Sequence, residues 1–366
     1  MSGVLASHER VDPCDHVCRQ WIADSVAKLE ADARRSADTH VYALRLPSLN
    51  GVSIFLKDES AHPTGSLKHR LARSLMLYGL CNGCIGPETV LVEASSGSTA
   101  VSEAYFAQLL GLKFIAVVPD TTTRQKITEI ERYGGVCEKV PSASIYQSAE
   151  RIAHQENGYY LDQFTFAERA TDWRGNNNIA ESLFHQMGLE DNGVPDWIVV
   201  GAGTGGTSAT LGRYVRYRDK AFAKTRICVA DPEGSVFFSS YEGRNRRLKS
   251  ESNSRIEGVG RPRVEPSFID TVVDRMVRVR DDASFATMIW LQGKLNRRVG
   301  PSSGLNLYAA LYLAVEMQQA GKTGSIATLI CDSGERYECT AFNPSWRDQQ
   351  GIHVNGILSE LETNFG

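Results

Sequence analysis

Lys68 stands where a reactive amine is useful: in the run Pro63-Thr64-Gly65-Ser66-Leu67-Lys68-His69-Arg70 it opens a helix directly after a flexible turn. Ser66 suits an N-cap, and Leu67, Leu71, Ala72, Leu75 and Met76 recur at three- and four-residue spacing, as on one helix face. The positive end of a helix dipole disfavours a protonated ammonium, and burial lowers its pKa further, so the neutral amine becomes available for Schiff-base chemistry. The same position also suits a solvated surface lysine, so local sequence alone does not decide.

Three further turns could converge on such an amine. Gly203-Thr204-Gly205-Gly206-Thr207 follows an apolar run and opens a helix, so its backbone N–H groups and the helix dipole would gather an anion, most naturally a phosphate. With Gly201 and Ala202 it also satisfies G-x-G-x-x-G, and Asp231 lies where a dinucleotide fold places its ribose-binding acid, so a nicotinamide-dependent dehydrogenase competes. A glycine turn required for close packing is the plainer alternative. Ser95-Ser96-Gly97-Ser98-Thr99 would suit a bound carboxylate or serve as an ordinary N-cap. Ser333, in Asp332-Ser333-Gly334-Glu335-Arg336-Tyr337, falls at the carboxyl edge of a sheet, where open α/β sheets bind ligands, although a turn serine explains it equally. Gly300-Pro301-Ser302-Ser303-Gly304 is another turn before a helix, with no chemistry implied.

The elements that must position these residues alternate. Strands are expected at 52–57, 90–93, 114–118, 136–140, 197–200, 227–231 and 326–331, and helices at 67–78, 99–110, 123–133, 145–156, 179–187, 207–217, 284–295 and 305–318. Strands separated by helices predict an α/β fold with mainly parallel sheets covered on both faces. Strands such as Trp197-Ile198-Val199-Val200 are apolar without alternation, as burial on both faces requires. Two sheets are expected, with 164–178 crossing between them and 242–263 a long polar flap.

The 366 residues, 42% hydrophobic with a formal net charge of -3, allow two domains and give no basic face for nucleic acid. No apolar run reaches a membrane span and the first twenty residues lack a signal-peptide core, which predicts a cytoplasmic protein. Eight scattered cysteines do not suggest a disulfide framework. Neither the Cys14/Cys18 pair around His16 nor Cys81/Cys84 establishes the four ligands of a zinc site.

Together these motifs resemble the fold-type II pyridoxal-phosphate enzymes of the cysteine synthase and cystathionine β-synthase family, in the family's order from Tyr42 to Tyr337. The resemblance implies two three-layer α/β domains with the active site between them: residues 51–165 as the smaller, and 1–50 with 166–366 as the larger. It implies pyridoxal 5'-phosphate held by Lys68 in a Schiff base, by Gly203, Thr204, Gly205, Gly206 and Thr207 at its phosphate, and by Ser333 at its pyridine nitrogen. Ser95, Ser96, Gly97 and Thr99 would grip the carboxylate of an amino-acid substrate, joined by Gln163 of a family-like Gln163-Phe164 pair. Ser98 would lie near the cofactor's 3-oxygen, where the synthases carry asparagine. A homodimer is also implied.

A neutral serine at the pyridine nitrogen favours loss of a leaving group from Cβ over transamination. The chain departs from the synthases at Ser98, at Ala100 in place of glycine, and at His69 where aspartate is usual. Its runs 65–73, 167–175 and 255–263 look most like the L-cysteine desulfhydrase branch. β-Elimination of cysteine to sulfide, pyruvate and ammonia is therefore expected. The alternatives are β-replacement using O-acetylserine and sulfide, and a member that has lost catalysis and serves as a binding partner.

Overall fold

The structure is a computed structural model that describes residues 15–35, 38–250, 252 and 254–366. Ten strands are present among these residues: β1 (Val41–Leu44), β2 (Val52–Asp58), β3 (Leu91–Ala94), β4 (Phe114–Pro119), β5 (Val136–Val140), β6 (Tyr159–Tyr160), β7 (Trp197–Gly201), β8 (Arg226–Pro232), β9 (Arg275–Val279) and β10 (Gly324–Ile330). They form a six-stranded sheet, ordered β1-β2-β10-β7-β8-β9, and a four-stranded sheet, ordered β5-β4-β3-β6. Every pairing is parallel except that of β1 with β2.

The unalternating strands are explained by two cores, one on each face. Ile54, Leu56, Trp197 and Val199 pack with helices Asp281–Leu295 and Pro301–Gln319, whereas Phe55, Ile198 and Val200 pack with helices Ile179–Met187 and Gly206–Tyr217. The smaller sheet repeats the pattern. Leu91, Phe114 and Ala116 face helices Lys68–Cys81 and Ser98–Leu110, while Val92, Ile115 and Val117 face helix Ile145–Gln155. Each sheet is thus the middle layer of three.

All seven expected strands and all eight expected helices are present, with helices Asp281–Leu295 and Pro301–Gln319 beginning about a turn early. The short strands β1 and β6 gave little pattern, and in β9 Arg275 and Arg278 interrupt the apolar run. Part of the expected crossing segment is helical: Asp162 accepts the Thr165 N–H at 3.2 Å and starts helix Gln163–Ala170. The expected division at residue 51 does not follow the sheets. β2 belongs to the larger sheet, and helix Asp15–Ala33 packs through Leu29 on the core of the smaller one. A division just after Asp58 suits the strand pairing better.

The helix pair Asp281–Leu295 and Pro301–Gln319 packs closely because Gly304 lacks a side chain. A Cβ there would lie 2.1 Å from the Ser284 carbonyl oxygen and 2.6 Å from the Met288 nitrogen. Gly304→Ala should therefore destabilise the fold by about 1–3 kcal/mol through overpacking, measured by denaturant unfolding; an unchanged midpoint would contradict this packing.

Candidate active site

The carboxyl end of β10 meets the turn that precedes Lys68. The Leu67 N–H donates to the Cys331 carbonyl (2.8 Å), the Ser333 N–H to the Gly65 carbonyl (2.9 Å) and the Gly300 N–H to the Asp332 carbonyl (3.1 Å). Gly65 has φ +68°, which lets the chain reverse before the helix. The Ser66 hydroxyl accepts the Lys68 N–H at 3.2 Å, and Lys68 is the first residue of helix Lys68–Cys81.

Lys68 opens onto a cavity of about 500 Å³ between the two sheets. Protein surrounds its ammonium, and this desolvation lowers the pKa, only partly opposed by Cys331 and Asp332. None of the described residues hydrogen-bonds or ion-pairs with its Nζ. A poorly solvated amine without a partner is a suitable nucleophile and base.

The 95–99 turn lines the same cavity. Gly97 is extended at the start of helix Ser98–Leu110 and no side chain caps that helix, so the turn's hydroxyls are not spent as an ordinary cap. Thr99 donates its hydroxyl to Gln163 Oε1 at 2.8 Å, which joins two of the expected substrate residues. Ser98 lines the cavity, but its hydroxyl is held by Arg336, whose other nitrogen donates to the Thr64 carbonyl at 3.1 Å.

On the opposite wall, the 203–207 loop leads from β7 into helix Gly206–Tyr217. Gly205 is left-handed, with φ +84°, and a Cβ on it would lie 2.7 Å from Phe268 Cα; one on Gly203 would lie 2.2 Å from the Gly258 carbonyl oxygen. The loop is therefore both a tight packing turn and a cradle. No acid stands in the helix's first turn, so its N–H groups and dipole suit a phosphate. Asp231 takes no part: it is absent from the cavity wall, and its carboxylate accepts the Phe238 N–H at 2.8 Å.

Ser333 is corrected by the structure. Its backbone is fixed by Gly65, its hydroxyl bonds Glu335, and it does not line the cavity. Ser302 and Asp332 line the cavity instead. Ser302 is buried in the first turn of helix Pro301–Gln319, within the Gly300-Pro301-Ser302-Ser303-Gly304 turn that had suggested no chemistry. The useful signal was a hydroxyl in the first turn of a helix that follows a glycine-proline turn. Asp332 accepts the Tyr337 hydroxyl at 2.6 Å, and burial pushes its carboxyl up to about 6.

The expected flap is docked across the mouth. Glu257 pairs with Lys126 at 2.9 Å, Arg261 bonds the Tyr146 hydroxyl and covers the Phe164 ring at 4.2 Å, and Arg263 covers the Tyr146 ring at 4.2 Å. Glu265 anchors both arginines, at 2.8 Å and 3.0 Å. His69 is structural: it contacts Asp32 at 3.4 Å and so ties the first helix to the lysine helix. Cys81 and Cys84 are free and exposed, whereas Cys14 and the His16 side chain lie outside the described residues. Among the described residues, no group of three or more His, Cys, Asp or Glu could hold a metal ion, and no helix is long and apolar enough to cross a membrane.

An amine without a partner, a glycine cradle for phosphate and a hydroxyl-lined carboxylate turn fit pyridoxal phosphate and an amino acid together. The chain belongs to the family of pyridoxal-phosphate dependent enzymes, whose profile matches residues 37–332. It is 57% identical over 348 residues to L-cysteine desulfhydrase Cds1 of Mycobacterium tuberculosis, covering 94% of each protein. It is 25% identical to cysteine synthase 1 of Neurospora crassa, covering 84% of this chain and 81% of that one. Among solved structures, an O-acetylserine dependent cystathionine β-synthase from Helicobacter pylori superposes with a TM-score of 0.71 at 25% identity, covering 85% and 97% of the two chains. A hydrogen sulfide-producing enzyme from Fusobacterium nucleatum shares the fold with a TM-score of 0.71 at 22% identity, covering 91% and 99%.

The cradle is sensitive to added volume. Gly203→Ala should weaken retention of pyridoxal phosphate by about tenfold or more, read as loss of bound visible absorbance on dilution. Retention equal to that of the parent protein would rule out the cradle.

Proposed function

We propose that this chain catalyses pyridoxal-phosphate-dependent β-elimination on L-cysteine, releasing sulfide, pyruvate and ammonia. The observation that carries the reading is the convergence on Lys68, in one cavity, of a carboxylate turn and a phosphate cradle. The 57% identity to an L-cysteine desulfhydrase supports the choice of substrate and outcome. Relatives named cysteine synthase, near 25% identity, support β-replacement less.

The bound cofactor supplies the electron sink that makes the substrate's Cα proton removable and its Cβ substituent a leaving group. Lys68 would hold the cofactor covalently and, once displaced, take the Cα proton on Nζ; its lowered pKa leaves that nitrogen free to accept it. The 203–207 loop would hold the phosphate. Ser95, Ser96, Gly97 and Thr99, with Gln163 braced on Thr99, would orient the substrate carboxylate. Ser302 replaces Ser333 in this reading as the hydroxyl for the pyridine nitrogen, because it is buried, lines the cavity and stands in the first turn of helix Pro301–Gln319. The 254–263 segment would limit water at the mouth.

Free thiols at Cys81, Cys84, Cys137, Cys228, Cys331 and Cys339 suit a reducing, cytoplasmic setting, and the family resemblance suits a homodimer, which light scattering would test.

Incubation with cysteine alone should yield sulfide, pyruvate and ammonia in equal amounts; efficient cysteine formation from O-acetylserine and sulfide with little pyruvate would overturn the reading. Lys68→Ala should lower turnover by about 10³-fold or more with the melting curve retained, and appreciable residual elimination would remove Lys68 from its role. Ser302→Ala should alter the bound cofactor's spectrum while Ser333→Ala leaves it unchanged; the reverse pattern would restore Ser333.

A further inference from the structure

A pair of buried acids lies behind the carboxylate turn and is not used by the chemistry above. Glu93 in β3 and Glu103 in helix Ser98–Leu110 are both fully buried, and the two carboxyl groups lie close enough for each to act on the other's ionisation. Their surroundings differ. Glu93 uses both oxygens, Oε1 accepting the Ala94 N–H at 2.8 Å and Oε2 the Gln163 N–H at 3.1 Å. Neither oxygen of Glu103 receives a hydrogen bond from a donor group.

An ionised carboxylate without a donor is costly in a dry site, whereas a carboxylic acid that donates to its neighbour is not. Two adjoining carboxyls also resist double ionisation. The charge therefore belongs on Glu93, which has donors, and the proton on Glu103. Burial pushes both groups upward, which favours a proton held by the pair.

We propose that Glu93 and Glu103 form the positioning device of the substrate-carboxylate site, in which the Glu103 proton fixes Glu93 and Glu93 fixes the backbone at Ala94 and Gln163. Those two residues adjoin the 95–99 turn and the Thr99–Gln163 contact, so the pair sets the distance between the two halves of the grip. The inference rests on the proposed reading of the 95–99 turn. Four other titratable groups act on the pair: Lys68 from its helix, Asp162 before helix Gln163–Ala170, Tyr160 in β6 and Tyr146 in helix Ile145–Gln155. Only Lys68 among them brings positive charge. Loss of the Glu103 proton at high pH would add a second negative charge behind the site, loosening the turn and repelling a carboxylate. Return to neutral pH restores the proton and the grip.

The test is a spectral titration of the holoenzyme with L-alanine, which has no leaving group at Cβ, and with ethylamine, which lacks the carboxylate. Their affinity ratio, followed from about pH 7 to about pH 9.5, isolates the carboxylate from the amine and from Lys68. In the parent protein the ratio should fall as pH rises. Glu103→Gln keeps a donor and cannot titrate, so its ratio should start near the parent value and stay flat. Glu103→Leu lacks the donor, so its ratio should already be lower by about tenfold at neutral pH.

A Glu103→Gln profile superimposable on a falling parent profile would overturn the proposal, as would an unchanged ratio in a folded Glu103→Leu. If Glu103→Leu fails to fold, judged by near-UV circular dichroism, the Glu103→Gln profile decides. A parent protein with no preference for L-alanine over ethylamine at neutral pH would instead sink the reading of the turn, and the pair's role with it.

Discussion

The crossing of residues 331–333 between two turns is the constraint on which the site depends. One peptide segment bonds on one side to Gly65 and Leu67, before the lysine, and on the other to Gly300, before the helix that carries Ser302. The approach is so close that a Cβ on Gly300 would lie 1.8 Å from Asp332 Oδ1. Backbone bonds and glycine clearance thereby bring Lys68, Ser302 and Asp332 to one wall.

The opposite wall is built on a different support. The smaller sheet presents the 95–99 turn, and contacts from the larger unit hold it in register: Arg336 reaches Ser98, Glu257 reaches Lys126, and Arg261 and Arg263 reach Tyr146. Most of these are polar contacts at partly exposed positions, individually weak. Beneath the lysine helix the bonding is stronger, because Arg70 meets buried Glu59 at 2.7 Å and Asp38 at 3.0 Å, while Lys57 is wholly buried beside Asp38. The lysine is thus anchored in a buried charged base, and the 95–99 turn sits on the more adjustable side.

Much of the fold was legible because the long strands carry apolar residues toward two cores. Short strands β1 and β6 lack enough residues for a period, and the arginines of β9 are satisfied only in three dimensions, where Arg275 meets Glu316 at 2.6 Å. At the site, the helix starts at Lys68 and at the 203–207 glycines could be read from spacing, since both depend on local backbone geometry, whereas the choice of chemistry for them came only with the family resemblance. The choice between Ser333 and Ser302 could not be read from spacing. It turns on which side of a strand end faces the cavity, and that is decided by the pairing of residues 65, 299 and 333, far apart in sequence. The Glu93–Glu103 contact escaped notice for the same reason, as each acid alone resembles an ordinary helix or strand charge.

Strand order bears on how the molecule is made. β10 lies between β2 and β7 and pairs with both, yet it is the last of the described strands along the chain. The larger sheet therefore remains in two pieces until residues 324–330 emerge from synthesis, whereas the smaller sheet, spanning residues 91–160, needs nothing beyond its own segment for strand pairing. Long-range parallel pairing of this kind is slow and concentrates assembly late. The segment that stitches Lys68 into place directly follows β10, so the nascent chain has no completed site, and chemical competence arrives together with the closing of its central sheet.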